Sequence, residues 1–170
     1  MLKDKLKKIK LLALDVDGIL TDGKIVYGHD GKEIKVFNVQ DGYGIVLLRK
    51  AGLKTAIISA RKARAVTVRA ADLRIDKVYQ NAKPKLNVYK RMLVDLKLKD
   101  ESVCFMGDDL PDRQVLKQAG LAVTVPDANQ DVKKCAHYVT RKKGGQGAVR
   151  EVIEMILKAQ GKWEKIVEEA

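Results

Sequence analysis

The apolar run Ile9–Leu14 stops abruptly on Asp15-Val16-Asp17-Gly18. A strand buried on both faces reads as a near-continuous aliphatic run, and such strands belong to parallel sheets covered by helices. In open sheets of this kind, ligands bind just beyond the carboxyl ends of the strands. Two carboxylates placed there must be desolvated beside a like charge, a cost that a cation between them removes. An Asp-Gly turn with solvated side chains is the alternative that these four residues alone allow.

The rest of the chain repeats the pattern. Aliphatic runs predict strands at Ile9–Asp15, Lys54–Ser59, Lys77–Tyr79, Ser102–Gly107, Leu121–Val125 and His137–Val139. Helix formers occupy Ile45–Lys50, Ala63–Ala71, Leu86–Leu98 and Leu110–Gly120, and Val149, Val152, Ile153, Ile156 and Leu157 form the apolar stripe of a last helix. Alternation of this kind implies right-handed crossovers. The expected fold is therefore α/β, a Rossmann-like three-layer sandwich with a mostly parallel sheet. At 170 residues the chain makes one domain, 1–170, with no cap domain.

One segment, residues 23–39, breaks the alternation. It reads as a β-hairpin, Lys24–Tyr27 and Glu33–Val39 around a Gly28-His29-Asp30-Gly31 turn, inserted after the first strand where a site would lie. Its Ile25, Tyr27, Ile34, Val36 and Phe37 exceed what a free ribbon exposes, so a subunit contact is expected.

Basic residues outnumber acids 34 to 22, giving a net charge of +12 that attracts anions. Aromatic residues are only 5%, and neither base-stacking motifs nor zinc-finger spacing accompanies the charge, so an anionic small molecule is expected rather than nucleic acid. Cys104 and Cys135 lack ligand or disulfide spacing. With no signal peptide and no apolar run near twenty residues, the expectation is a cytoplasmic protein without a membrane partner. His29 and His137 receive no role, and Trp163 reads as a packing anchor or a subunit contact.

Four strand ends carry groups suited to one reaction: Asp15 and Asp17, then Ser59-Ala60-Arg61, then Lys83-Pro84-Lys85, then Gly107-Asp108-Asp109-Leu110-Pro111-Asp112. Carboxylates, a hydroxyl and a lysine together can hold a divalent metal and a phosphoryl group, and oxygen ligands suit Mg²⁺. Each has a plain structural reading as well. Ser59 suits a strand end or a cap, Lys85 a solvated helix face, Asp109 a cap ahead of Pro111, and Arg61 the surface. Their order at consecutive strand ends favours a site.

Asp-x-Asp-Gly-x-x-x-Asp followed by a strand-end hydroxyl, a lysine and Gly-Asp-Asp-x-x-Asp resembles the haloacid dehalogenase superfamily of phosphohydrolases, across Asp15–Asp112. Asp-Val-Asp-Gly-Ile-Leu-Thr-Asp-Gly with a hairpin and no cap, Gly-Asp-Asp-Leu-Pro-Asp, and Gly-Gly-Gln-Gly-Ala-Val-Arg-Glu (Gly144–Glu151) are similar to the capless subclass that hydrolyses 3-deoxy-D-manno-octulosonate 8-phosphate in lipopolysaccharide precursor synthesis.

The resemblance implies a Mg²⁺-dependent phosphatase. Asp15 would be the nucleophile that forms an aspartyl phosphate, Asp17 the acid and base, and Lys85 the cation on phosphate and nucleophile. The metal would lie on Asp15, the Asp17 backbone carbonyl and Asp108, with Asp109 and Asp112 behind them. Ser59 and the adjacent Ala60 would meet the phosphoryl oxygens, standing where many relatives have threonine and glycine. Arg61 and Arg69 would take the substrate carboxylate, lying eight residues apart and so on one face of a helix. Lys83 competes with Lys85, which family spacing favours. The resemblance further implies a homotetramer in which the Gly144–Ala170 segment, with its tail 158–170, approaches a neighbouring site. Alternatives are a phosphatase for a nine-carbon ulosonic acid phosphate, a receiver-like phosphorylation module, and a catalytically idle domain. Asp17 counts against the receiver, which needs no acid two residues after its phosphorylated one.

Overall fold

The computed structural model describes residues 1–169. In chain order the elements are α1 (Leu2–Lys8), β1 (Leu11–Leu14), β2 (Val26–Tyr27), β3 (Glu33–Ile34), α2 (Val39–Lys50), β4 (Lys54–Ile58), α3 (Arg64–Asp72), β5 (Lys77–Tyr79) and α4 (Lys85–Leu96). After them come β6 (Val103–Met106), α5 (Arg113–Gln118), β7 (Leu121–Thr124), α6 (Gln130–Lys133), β8 (Tyr138–Val139), α7 (Ala148–Ala159) and α8 (Trp163–Glu168). Six strands form one sheet in the order β5-β4-β1-β6-β7-β8, every pairing parallel. The chain builds outward from β1 to β5, then crosses back over β1 to start β6. The strand order therefore reverses beside β1, and a crevice opens between the carboxyl ends of β1 and β6.

β1 and β6 are fully buried, as their aliphatic runs predict. Asp15, Ser59 and Gly107, expected as last strand residues, fall just past the ladders, each still donating its N–H to the neighbouring strand at Met106, Tyr79 and Val123. Helix boundaries needed more correction. The predicted Ile45–Lys50 helix is the second half of α2, whose first half holds Gly42 and Gly44, poor helix formers that hide it. The predicted Leu110–Gly120 helix is a 3₁₀ turn, Leu110–Asp112, leading into α5. α1 has no counterpart among the predicted helices, because Leu6 is its one buried residue and leaves no apolar stripe. α6 and α8 were not foreseen either.

The hairpin pairs only Val26–Tyr27 with Glu33–Ile34, and Val39 belongs to α2 instead. Ile25, Tyr27, Ile34 and Val36 are exposed, whereas Phe37 packs against the core.

Within the subunit the C-terminal segment is well packed through its first half. α7 packs on α2, and buried Asp41 accepts the backbone N–H groups of Gly147 (3.2 Å) and Arg150 (2.8 Å) at its start. Beyond α7, Gln160 donates to the carbonyls of Leu6 and Ile9, Lys162 donates to that of Ala51, and Ile166 is buried. These contacts seat residues 160–166 at the end of the sheet where β1 begins. Apolar burial and these carbonyl contacts hold them there. Trp163 is a packing anchor, its ring facing Arg150 at 5.4 Å and Lys158 at 5.0 Å. Ala170 lies outside the described residues.

Candidate active site

Asp15 leaves β1 directly into the crevice, and Lys85, the first residue of α4, reaches it from the far side of β4. The Lys85 ammonium lies 2.8 Å from Asp15 and 2.6 Å from Asp112. All three side chains are almost fully buried. Asp112 is occupied at both oxygens: Oδ1 takes Lys85, and Oδ2 accepts the backbone N–H groups of Asp108 (3.1 Å) and Asp109 (3.3 Å). It therefore fixes the loop after β6 while orienting Lys85. Asp109 is exposed and caps the 3₁₀ turn that Asp112 closes.

Carboxylate oxygens of Asp15, Asp108 and Asp112 lie within 4.8 Å of one another. Three carboxylates facing one ammonium leave an excess of two negative charges, which a divalent cation would balance. Burial and the Asp112 charge drive the Asp15 pKa well above the usual carboxylate range despite Lys85. Burial with Asp112 and Asp109 pushes Asp108 up to about 7. Burial opposes the charge on Lys85, but Asp15 and Asp112 prevail and raise its pKa. Asp108 Oδ1 is buried without a hydrogen-bond partner. An orphaned acceptor in an over-anionic cluster fits a hard cation with oxygen ligands, held by Asp15 and Asp108. The Asp17 side chain is not among these three.

Backbone shape brings the groups together. Gly18 has φ +86°, and a Cβ there would lie 2.1 Å from Asp108 Oδ2, so only glycine lets the two loops meet. A Cβ on Gly144 would lie 1.8 Å from the Gly18 carbonyl, and Gly145 donates its N–H to Ile19. The Gly144-Gly145 pair thus underpins the loop after β1. Thr21 ties the same loop, donating to the Val16 carbonyl and accepting from Gly18 and Gly23.

The pocket, about 220 Å³, is lined by Asp15, Asp17, Ser59, Ala60, Arg61 and Lys85 together with the loop after β6. Ser59 is buried at its wall. Lys83 is exposed and touches neither acid, which leaves Lys85 as the lysine of the site. Arg69 is not brought into this pocket. Arg61 precedes α3 rather than belonging to it, so the helical spacing assumed between the two arginines does not apply. Arg69 lines a separate groove of about 620 Å³, stacks on Phe37 and donates to the Asn38 carbonyl at 3.4 Å.

Sequence reasoning missed two charged residues on the hairpin. Lys35 contacts the Asp17 carboxylate and lies 2.6 Å from Glu33, whose other oxygen takes Arg61 at 2.7 Å. Arg61, expected to be free for a substrate, is therefore paired within the chain, and its Nε sits 3.8 Å from Asp17. The signal was available in the alternation of Glu33, Lys35 and Phe37 against Ile34 and Val36. His137 accepts the Ala122 N–H at 2.9 Å, a structural role.

A family model of haloacid dehalogenase-like hydrolases matches residues 74–153. The 3-deoxy-D-manno-octulosonate 8-phosphate phosphatase of Yersinia pestis is 48% identical over 156 residues, covering 92% of this chain and 83% of that protein. Its counterpart from Escherichia coli K12 is 47% identical over 158 residues, 93% of this chain and 84% of the relative. The crystal structure of the Moraxella catarrhalis 3-deoxy-D-manno-octulosonate 8-phosphate phosphatase, in complex with a magnesium ion, a phosphate ion and KDO, superposes with a TM-score of 0.97 at 40% identity, covering 99% of this chain and 97% of that one.

Proposed function

The chain belongs to the haloacid dehalogenase-like hydrolases, on the branch that holds these phosphatases, and from that premise we propose that it hydrolyses 3-deoxy-D-manno-octulosonate 8-phosphate to the free sugar acid and phosphate. It is a phosphoric monoester hydrolase that uses Mg²⁺ and serves lipopolysaccharide precursor synthesis. The observation that carries the reading is the buried Asp15–Lys85–Asp112 chain beside the orphaned Asp108 oxygen, at the point where the strand order reverses.

Asp15 attacks phosphorus in line, and Lys85 neutralises charge on its carboxylate and on the phosphoryl oxygens. Asp17 protonates the departing sugar oxygen, then takes a proton from the water that cleaves the aspartyl phosphate. Ser59 donates to a phosphoryl oxygen, and the Ala60 backbone lines the same wall. Arg61 at the rim reads the substrate carboxylate, and Arg69 contributes from the adjoining groove. Asp15, Asp108 and the Asp17 carbonyl would hold Mg²⁺, which when bound screens the phosphoryl charge. The whole chain, 1–170, is one phosphatase domain with the hairpin 23–39 as its insert. We read the exposed outer edge of the hairpin as a contact in a homotetramer. Among the described residues no helix is long and apolar enough to cross a membrane. Two unbridged cysteines suit the reducing cytoplasm.

The test is phosphate release from a panel of sugar phosphates that includes eight-carbon and nine-carbon ulosonate esters. Preference for the eight-carbon substrate, lost on chelation and restored by Mg²⁺, is expected. Equal turnover after chelation would sink the metal assignment, and preference for the nine-carbon ester would move the chain to that activity.

A further inference from the structure

The hairpin inverts the alternation expected of an exposed ribbon. Successive residues of a strand face opposite sides, and here Ile34 and Val36 face solvent at 49% and 73% exposure while Glu33 and Lys35 turn inward. The Lys35 side chain is only 2% exposed. A lysine gives up much rotamer freedom and hydration on burial, and nothing in a short ribbon's stability requires that. Its ammonium is placed by two acids. It donates to Asp17 Oδ1 and, at 2.6 Å, to Glu33 Oε1. Glu33 is steadied in turn by Arg61 at 2.7 Å.

Asp17 is held differently from every other acid of the site. Its side chain remains 25% exposed and opens into the pocket. Arg61 Nε is too distant from it, at 3.8 Å, for a hydrogen bond. Lys35 therefore fixes the carboxyl through Oδ1, and no hydrogen bond engages Oδ2.

We propose that Lys35 is the positioning residue for Asp17, holding its free oxygen at the leaving-group side of phosphorus. This rests on the phosphatase reading, with Asp17 as proton donor. As the Asp15–phosphorus bond forms and the phosphorus–sugar oxygen bond breaks, the Asp17 proton passes to that sugar oxygen. Lys35 keeps its own protons throughout and touches no reacting atom.

The consequence is a dependence on the leaving group. An alkyl alkoxide needs the proton, whereas 2,4-dinitrophenolate departs without one. Single-turnover release with enzyme in excess and Mg²⁺ present would be measured for Lys35→Met, Asp17→Asn and the wild type. The substrates are an alkyl phosphate, 4-nitrophenyl phosphate and 2,4-dinitrophenyl phosphate. A misplaced proton donor costs about 100-fold, so that loss is expected for Lys35→Met on the alkyl ester, with less than about threefold on the dinitrophenyl ester. Asp17→Asn should show the same graded profile, and ethylammonium should restore part of the alkyl activity to Lys35→Ala. Equal losses on all three esters, or no loss on the alkyl ester, would overturn the proposal. Should Lys35→Met fail to fold by circular dichroism, Glu33→Gln, which loosens Lys35 without removing it, carries the same series with a smaller grade. A wild type that releases none of the three leaving groups, and no phosphate from the sugar phosphate panel either, would instead refute the phosphatase reading itself.

Discussion

The two halves of the site are held in different ways. Asp15, Lys85 and Asp112 sit at the ends of buried elements, nearly dry, with every charge opposed within hydrogen-bond distance. Asp17, Glu33, Lys35 and Arg61 meet where a ribbon with two-residue strands leans over the crevice, and Arg61 is partly in solvent. Desolvated pairs in a rigid frame are costly to break, because the partner left behind stays buried and charged. Pairs made by the half-exposed Arg61 are screened and rearrange at small cost, whereas the buried Lys35 keeps its hold on Asp17. On the proposed function, the nucleophile and its cation are built on the sheet, while the ribbon holds Asp17 and the group proposed to read the remainder of the substrate.

The largest effects belong to the sheet half. Asp15→Asn removes the nucleophile and should lower phosphate release by about 10⁴-fold or more with the far-ultraviolet circular dichroism unchanged. Lys85→Met strands Asp15 and Asp112 without their cation and should destabilise the fold by about 3–5 kcal/mol, read by urea denaturation, besides abolishing turnover. Lys83→Met, on an exposed residue two positions away, should do neither. A Lys83→Met protein as inactive as Lys85→Met would break the distinction between the halves.

At the rim, losses should depend on the substrate. Arg61→Ala should lower kcat/KM for 3-deoxy-D-manno-octulosonate 8-phosphate by about 30-fold, the equivalent of about 2 kcal/mol for a lost charge-assisted hydrogen bond. A small phosphate ester without a carboxylate should scarcely notice. Arg69→Ala should cost less on the same substrate, because Arg69 lines the adjoining groove and stacks on Phe37. Equal losses on both esters for Arg61→Ala would assign that residue to the phosphate or to the fold.

The halves also answer pH in opposite senses. Asp108 titrates near 7 because it is buried beside Asp112 and Asp109, whereas Lys35 and Arg61 hold Glu33 below its ordinary range. A carboxyl raised in the folded state contributes stability that is present below its unfolded pKa and lost as pH rises through the folded value. Chelated protein should therefore melt higher at pH 5.5 than at pH 8, by roughly 5 °C, from Asp108 with Asp15 acting in the same direction. Added Mg²⁺ should remove or reverse that trend, since it favours the ionised carboxylates, and Mg²⁺ affinity should weaken as pH falls below about 7. Glu33→Gln should leave the chelated trend intact. A flat melting profile without metal would show that the acidic cluster is not strained.

What could be read from the chain follows the same division. The sheet and the Asp15 and Asp108 positions were legible because a buried strand writes itself as a continuous aliphatic run, and the polar residue that ends it lands at the crevice, whereas Lys85, which opens α4, was chosen over Lys83 by the family resemblance alone. The ribbon was legible as a ribbon but not as half of a site, because Lys35 and Glu33 look like ordinary surface charges until the strand's inward side is known. α2 was half hidden by Gly42 and Gly44. The seat of the C-terminal segment on its own subunit is not legible because backbone carbonyl contacts, such as Gln160 to Leu6 and Ile9, leave no periodic trace.

The smallest expected effect concerns the outer side of the ribbon and separates its two sides. Val36 is 73% exposed on a single subunit, so Val36→Asp should change subunit stability by no more than about 0.5 kcal/mol. If hairpins pack on one another in a homotetramer, the same carboxylate would be buried without a partner and the assembly should fall apart at micromolar concentration. Light scattering coupled to size exclusion reads the mass directly. Because Glu33 and Lys35 face the other way, each dissociated subunit should keep its turnover of a small phosphate ester within about threefold, a surface change having little purchase on the buried pairs. A tetramer untouched by Val36→Asp would take the outer edge out of the interface. Loss of the small-ester activity together with the tetramer would show that the ribbon needs a neighbour to hold Lys35 against Asp17, and the rim could then no longer be treated as the property of one subunit.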